Sequence, residues 1–145
     1  MWNPKIKKMN LFVSIMTFGW ADGITLAPFG VYLKEKYLKN KRIINHETIH
    51  WKQQMEMMIL GAIIALLSGI ILLLLNVLSL WLLTLLIFPF LFFYIWYLVE
   101  WGVRLITNTK SAYRSISFER EAYGNEYDME YLKTRKPFAW LKYIV

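Results

Sequence analysis

Polar and apolar residues are segregated along this chain rather than interleaved. From Met57 to Val99 there are 43 consecutive residues without a charged side chain, bounded by Glu56 and Glu100. A hydrocarbon layer about 30 Å thick is crossed by about 20 helical residues, so the run fits two crossings. As a single helix it would be about 64 Å long, roughly twice what a bilayer accommodates. A soluble hairpin this apolar would need covering, and the rest of so short a chain has little to offer. The turn is placed at Asn76-Val77-Leu78-Ser79, giving spans near 57–75 and 79–99 with almost no loop between them.

Inside the first span Gly61, Ala65 and Gly69 recur at four-residue spacing. Such a stripe lets a second backbone come close, so it is either a homo-oligomer contact or ordinary glycine usage in membrane helices. Pro89 is expected to kink the second span, and Trp96, Tyr97 and Trp101 suit an interfacial aromatic belt.

Outside the run the patterns are shorter. Lys5, Lys7 and Lys8 precede an apolar stretch, Met9 to Trp20, that Ser14, Thr17 and Gly19 interrupt. It resembles a secretion signal faintly, without a clear small-x-small cleavage site, and a third crossing is the lesser alternative. The expectation for residues 9–33 is therefore short strands or an interfacial segment, with a turn at Asp22-Gly23 and Pro28 interrupting Ile24 to Leu33. Lys34 to Arg42 reads as a basic loop or helix end. Asn45 is the candidate N-cap of a helix over 45–56 that continues into the first span. Beyond Arg104 a polar stretch leads to a helical pattern from Ala112 to Lys133, which Pro137 closes. An aromatic tail containing Phe138, Trp140, Tyr143 and Ile144 follows, suited to covering a site or lying on the bilayer. The fold expected is mainly α: one domain over 1–145, made of an N-terminal segment (1–44), the short helix (45–56), a transmembrane hairpin (57–99) and a C-terminal helix and tail (108–145).

Composition agrees, with 57% hydrophobic and 17% aromatic residues. The formal net charge of +7 has a topological pattern. Nine Lys and Arg lie before the hairpin and eight after it, while its far loop has none. The positive-inside rule then puts both termini in the cytoplasm, with anionic lipid rather than nucleic acid as the partner of the basic surplus. The absence of cysteine suits a reducing compartment.

The chemistry is concentrated in His46-Glu47-Thr48-Ile49-His50, which contains the only two histidines of the chain. On a helix, positions i and i+4 share a face, so both imidazoles can grip one Zn²⁺. Glu47 sits about 100° around the helix, where it can take a proton from an activated water. His50 precedes Met57 by seven residues, roughly 10 Å, which puts the site at headgroup level on the cytoplasmic side. A catalytic zinc needs a third protein ligand, and without another His or Cys it must be a carboxylate. Glu119 is favoured: it shares a face with Tyr123, Glu126 and Glu130, and Ala122 beside it allows close helix approach. Glu121 and Glu126 are the alternatives. Gln53 lies under the histidines and is placed to orient a ligand or a substrate carbonyl. Glu56 is too far along the axis to share the metal, and Glu100 reads as an interfacial ion pair with Arg104.

This order of motifs, H-E-x-x-H, a membrane hairpin, then Glu119-Arg120-Glu121-Ala122, resembles the gluzincin membrane metalloproteases of the HtpX and CAAX-prenyl-protease type. It is more distantly similar to the antibiotic-sensor membrane peptidases. The E-R-x-A form also looks like that of soluble H-E-x-x-H proteins of the phage-repressor-cleaving type. The N-H-E-x-I-H-x-x-Q-Q and F-E-R-E-A-Y-x-N-E blocks are similar to those of short bacterial membrane proteins. The resemblance covers residues 44–128 and implies zinc held by His46, His50 and Glu119, with Glu47 as general base. Tyr123 stands where the family has Asp, which leaves Asn125 and Asp128 as alternatives for supporting the histidines; Tyr123 itself is a candidate oxyanion donor. The implied activity is a zinc endopeptidase of the bacterial cytoplasmic membrane, cutting membrane proteins or juxtamembrane peptides. The alternative is a non-catalytic membrane assembly protein with a structural or vestigial metal site. Lipid hydroxylases and desaturases need several histidine boxes and are set aside.

Overall fold

The computed structural model describes residues 3–77, 80–107 and 109–144. Two long helices dominate it: α2 (Lys41–Leu74) and α3 (Thr84–Thr107). Both are long and apolar enough to cross a membrane. Before them come β1 (Ile6–Lys8), the short α1 (Leu11–Met16), β2 (Gly23–Leu26) and β3 (Gly30–Leu33). After them come α4 (Ser117–Asn125) and the single-turn α5 (Tyr131–Thr134).

The metal-motif helix and the first apolar span form one rod. Its cap is Asn40 rather than Asn45: the Asn40 side chain accepts from the amides of Arg42 and Ile43. Asn45 is buried in the second turn and acts across the fold. Its side-chain amide donates to the carbonyls of Asn125, Glu126 and Asp128 at 3.0–3.1 Å, which holds the end of α4 against α2. This explains why the helix expected over 112–133 is interrupted. A one-turn 3₁₀ segment at Tyr113–Ser115 and an extended Ile116 precede α4, and the chain leaves α4 where Asn45 collects its terminal carbonyls.

At the other end of the hairpin α2 stops at Leu74, and Asn76 adopts φ 55°, a left-handed conformation that Asn tolerates better than most residues. Leu78 and Ser79 of the expected turn lie outside the described residues. The second span begins at Thr84, later than expected, and runs past Glu100 and Arg104. The small-residue stripe is used within the chain: Gly61 and Ala65 are buried, and a Cβ on Gly61 would sit 3.0 Å from Pro89 Cα and Phe92 Cβ. Where the helices reach the site, Met57, Phe93, Ile116, Phe118 and Trp140 form the apolar core, with Phe93 and Phe118 stacked at 4.6 Å. Trp140 draws the aromatic tail into this core.

The N-terminal segment forms a three-stranded sheet of order β1-β3-β2, with β1 parallel and β2 antiparallel to β3. β2 is thus an edge strand, and it lies along α2. Gln54 accepts from the Ala27 amide and donates to the Thr25 carbonyl, both at 2.8 Å.

Candidate metal centre

Helix α2 supplies His46 and His50 one turn apart, both buried. Their rings meet edge to face with centroids 4.8 Å apart, and the two Nε2 atoms are 3.1 Å apart. From the first turn of α4, Glu119 brings Oε1 to 3.4 Å from His50 Nε2 and Oε2 to 3.7 Å from His46 Nε2. Two donors held about 2.0–2.1 Å from Zn²⁺ at tetrahedral angles stand roughly 3.3–3.4 Å apart, so the spacing of this trio matches such an ion.

Hydrogen-bond accounting strengthens the fit. Gln53 Nε2 donates to the Phe118 carbonyl and to Glu121 Oε2, which turns Gln53 Oε1 towards His50 Nδ1 at 2.7 Å. Glu126 Oε2 lies 3.0 Å from His46 Nδ1. Both outer partners are acceptors, so each Nδ1 carries a proton and each Nε2 presents a lone pair. Glu119 Oε1 accepts from the Tyr97 hydroxyl at 3.0 Å, whereas Glu119 Oε2 is buried without a hydrogen-bond partner among the described residues. Three lone pairs therefore converge on one point, an arrangement that needs a cation or a proton between them.

Charge follows the same logic. Burial lowers the affinity of His50 for a proton, but the adjacent Glu119 carboxylate outweighs it and lifts His50 to about 9. Burial and the nearby His50 charge push His46 down to about 4. Burial would raise Glu119, yet the His50 charge holds it below the usual carboxylate range. In the metal-free chain one proton on the imidazole pair thus occupies the place suited to a cation.

Glu47 shares the cleft, about 260 Å³, with this trio. Its Oε2 is 2.8 Å from the Thr25 hydroxyl, and burial raises its carboxyl. Gly23 gives it room: a Cβ there would meet Glu47 Oε1 at 2.9 Å. Gly23, Ile24 and Thr25 of β2 line the same cleft.

Among the sequence candidates, then, His46, His50, Glu119 and Glu47 come together, and Gln53 orients His50. Tyr123 packs edge-on against His46 at 4.7 Å under the Arg114 guanidinium, and lines a separate cavity with Arg42 and Arg120. Tyr97 and Tyr113 are the phenols beside Glu119 in the cleft. Neither Asn125 nor Asp128 supports a histidine: Asn125 donates to the Glu121 carbonyl and the Tyr143 hydroxyl, and Asp128 offers its backbone carbonyl to Asn45. That supporting role falls to Glu126, held in turn by Arg42 at 3.2 Å. Its position on the Glu119 face was the available signal. Glu121, the other alternative ligand, is committed to Arg135, Tyr131 and Gln53. Glu100 does more than pair with Arg104. Its carboxylate accepts from the Ser117 amide at 2.8 Å and the Ser117 hydroxyl at 2.6 Å, which anchors α4 two residues before Glu119.

Comparison with protein families, with curated proteins and with solved structures returns no match to this chain.

Proposed function

We propose that this chain is a zinc-dependent endopeptidase of the bacterial cytoplasmic membrane, with both termini in the cytoplasm. The observation that carries the reading is the convergence of the His46 Nε2, His50 Nε2 and unpartnered Glu119 Oε2 lone pairs, with Glu47 in the same cleft. Two imidazoles and one carboxylate are a donor set that suits Zn²⁺ and leaves a position open. When bound, the ion would supply Lewis-acid polarisation of water and of a peptide carbonyl.

The protein's own groups supply the rest. Glu47, raised by burial and steadied by Thr25, takes a proton from the attacking water and delivers it to the departing amine. The Tyr97 hydroxyl donates its one proton to Glu119 Oε1 and so steadies the carboxylate proposed as third ligand. The outer edge of β2 receives the substrate. Ile24 pairs with β3, so half-buried Gly23 turns its amide and carbonyl to the outer edge beside the cleft, where an extended peptide would pair. Membrane proteins and juxtamembrane tails are the substrates that meet a cleft at this height. The assembly-protein alternative has less support, because the small-residue stripe it would use is packed against α3.

The test is elemental analysis of the detergent-purified chain together with proteolysis of a dye-quenched unfolded protein. About one zinc per chain is expected, lost in His50→Ala and Glu119→Ala. Glu47→Gln should retain zinc while turnover falls about 10²–10⁴-fold. Full turnover in Glu47→Gln, or wild-type chain without stoichiometric zinc, refutes the reading.

A further inference from the structure

The N-terminal segment carries large apolar side chains that nothing else among the described residues covers. Phe12, Phe18, Trp20 and Phe29 are 69%, 87%, 89% and 64% exposed, and Leu11 and Ile15 are exposed beside them. A cluster of this size on a water-facing surface is rare and marks an interaction surface. We propose that α1 and the β2–β3 turn form a third, non-spanning membrane contact, a prong immersed in lipid hydrocarbon alongside α3.

Three observations select lipid as the occupant. The first is continuity with the spans. Phe12, Leu26 and Phe29 face Ile87 and Phe90 of α3 across an apolar groove of about 530 Å³. Ile87 lies ten residues before Tyr97, about 15 Å closer to the hairpin turn than the phenol that touches Glu119. If α3 crosses the bilayer, this depth lies within the hydrocarbon.

The second is the state of the backbone, because groups entering lipid must be satisfied internally. The amides of Val13, Ser14, Thr17, Phe18, Gly19 and Trp20 all donate within the segment, to Asn10 Oδ1 and to the carbonyls of Asn10, Val13, Ile15, Ser14 and Thr17 respectively. The Thr17 hydroxyl is turned onto the Val13 and Ser14 carbonyls.

The third is charge. Residues 9–21 contain none, whereas Lys5, Lys7 and Lys8 lead into the prong and Lys34 holds its far end through the Gly19 carbonyl and Asp22. An apolar tip on a basic base is the composition of an element seated at an anionic membrane surface.

The prong bears on substrate class. Tyr94 lines both the apolar groove and the metal cleft, so the two are neighbours. A chain segment sliding out of the hydrocarbon between prong and α3 meets the β2 edge at Gly23 directly. The substrates favoured are apolar segments drawn sideways from the bilayer rather than peptides from the aqueous phase. The inference rests on α2 and α3 being membrane spans and is independent of metal binding or turnover.

The chain has no native cysteine, so single replacements report cleanly. Phe12→Cys, Phe18→Cys and Phe29→Cys lie on exposed side chains and spare the core. They are to be spin-labelled in the full chain in liposomes of zwitterionic and anionic phospholipid, and probed by collision with oxygen and with a polar nickel chelate. Leu66→Cys on α2 and Lys36→Cys beyond the sheet are the lipid and water references. The three prong positions should match Leu66→Cys, with nickel collisions several-fold below those of Lys36→Cys. Prong positions that behave as Lys36→Cys while Leu66→Cys reports lipid overturn the proposal alone. A water-like Leu66→Cys overturns it together with the membrane reading. Spin–spin broadening between labelled copies, relieved on dilution with unlabelled chain, assigns the face to a second copy and overturns it too.

Discussion

Glu119 and Glu121 stand two residues apart on α4, both fully inside the protein, yet their surroundings differ completely. Glu121 accepts from Arg135 at 2.5 Å, from Tyr131 and from Gln53, and the same Arg135 also grips Glu56. Every charge in that cluster has an opposite partner. Glu119 has Tyr97 on one oxygen, no hydrogen-bond partner on the other among the described residues, and opposite it two imidazoles that share one proton in the metal-free chain. A buried polar group left unsatisfied costs about 1–3 kcal/mol, a cost that the Glu119 side carries and the Glu121 clamp avoids. Helix α4 is thus pinned through Glu121 while Glu119 keeps one oxygen free of hydrogen bonds among the described residues, facing the imidazole pair.

That contrast can be broken from either side. The largest stability effect is expected for Arg135→Met, which leaves buried Glu121 and half-buried Glu56 without that cation. Removing one partner of such a pair costs about 3–5 kcal/mol, read as a fall in the denaturation midpoint in detergent. Zinc should still bind the folded fraction at unchanged stoichiometry; a variant of native stability would dissolve the distinction between clamp and site.

Glu126→Gln acts on the open side. It keeps the shape but weakens the acceptor on His46 Nδ1, so zinc affinity should drop about 10–100-fold while thermal stability of the metal-free chain changes little. Competition with a chromophoric chelator measures this, and unchanged affinity would remove Glu126 from the centre.

Acidity should separate the clusters next. The cation must displace the proton from His50, whose affinity is raised to about 9, so apparent zinc affinity should fall about tenfold per pH unit below that value. Calorimetry near pH 7.5 in buffers of different ionisation enthalpy should register about one proton released per ion. For the metal-free chain the sign is fixed by the same shift. Because the folded value lies above the unfolded one, the stabilisation from His50 is complete below about 6.5 and disappears as pH rises through about 9. A pH-independent affinity would contradict the lone-pair assignment.

The smallest effect is expected for Ser117→Ala, which removes the hydroxyl bond to Glu100 but leaves the backbone one. A loss of about 1–2 kcal/mol is expected in chemical denaturation, with zinc retained.

Much of the candidate site was legible in the sequence because it follows helix arithmetic. The four-residue spacing of His46 and His50 and the shared face of Glu119 and Glu126 are properties of one helix each. The uncharged run likewise announced two long apolar helices by length alone. What escaped are contacts between residues far apart in the chain. Asn45 reads as a helix cap because Asn caps helices, but its nearest unsatisfied carbonyls belong to α4. Glu100 reads as the partner of Arg104 four residues on, yet the buried N-terminal amide of α4 at Ser117 is the stronger claim on a buried carboxylate. Arg135 gave no local sign of its role, which exists only where α2 and α4 meet.

The continuity of α2 has a mechanical meaning. A rod of 34 residues is about 51 Å long, and the imidazole pair sits near one end while the other end lies in the hairpin turn. If α2 spans a bilayer, the cleft at its end inherits its altitude and lean from the membrane slab around the rod. A thinner slab tips the rod and lowers the centre; a thicker one lifts it upright. Under the proposed function the helix would act as a yardstick, with the place of a cut set by lipid thickness as well as by residue identity.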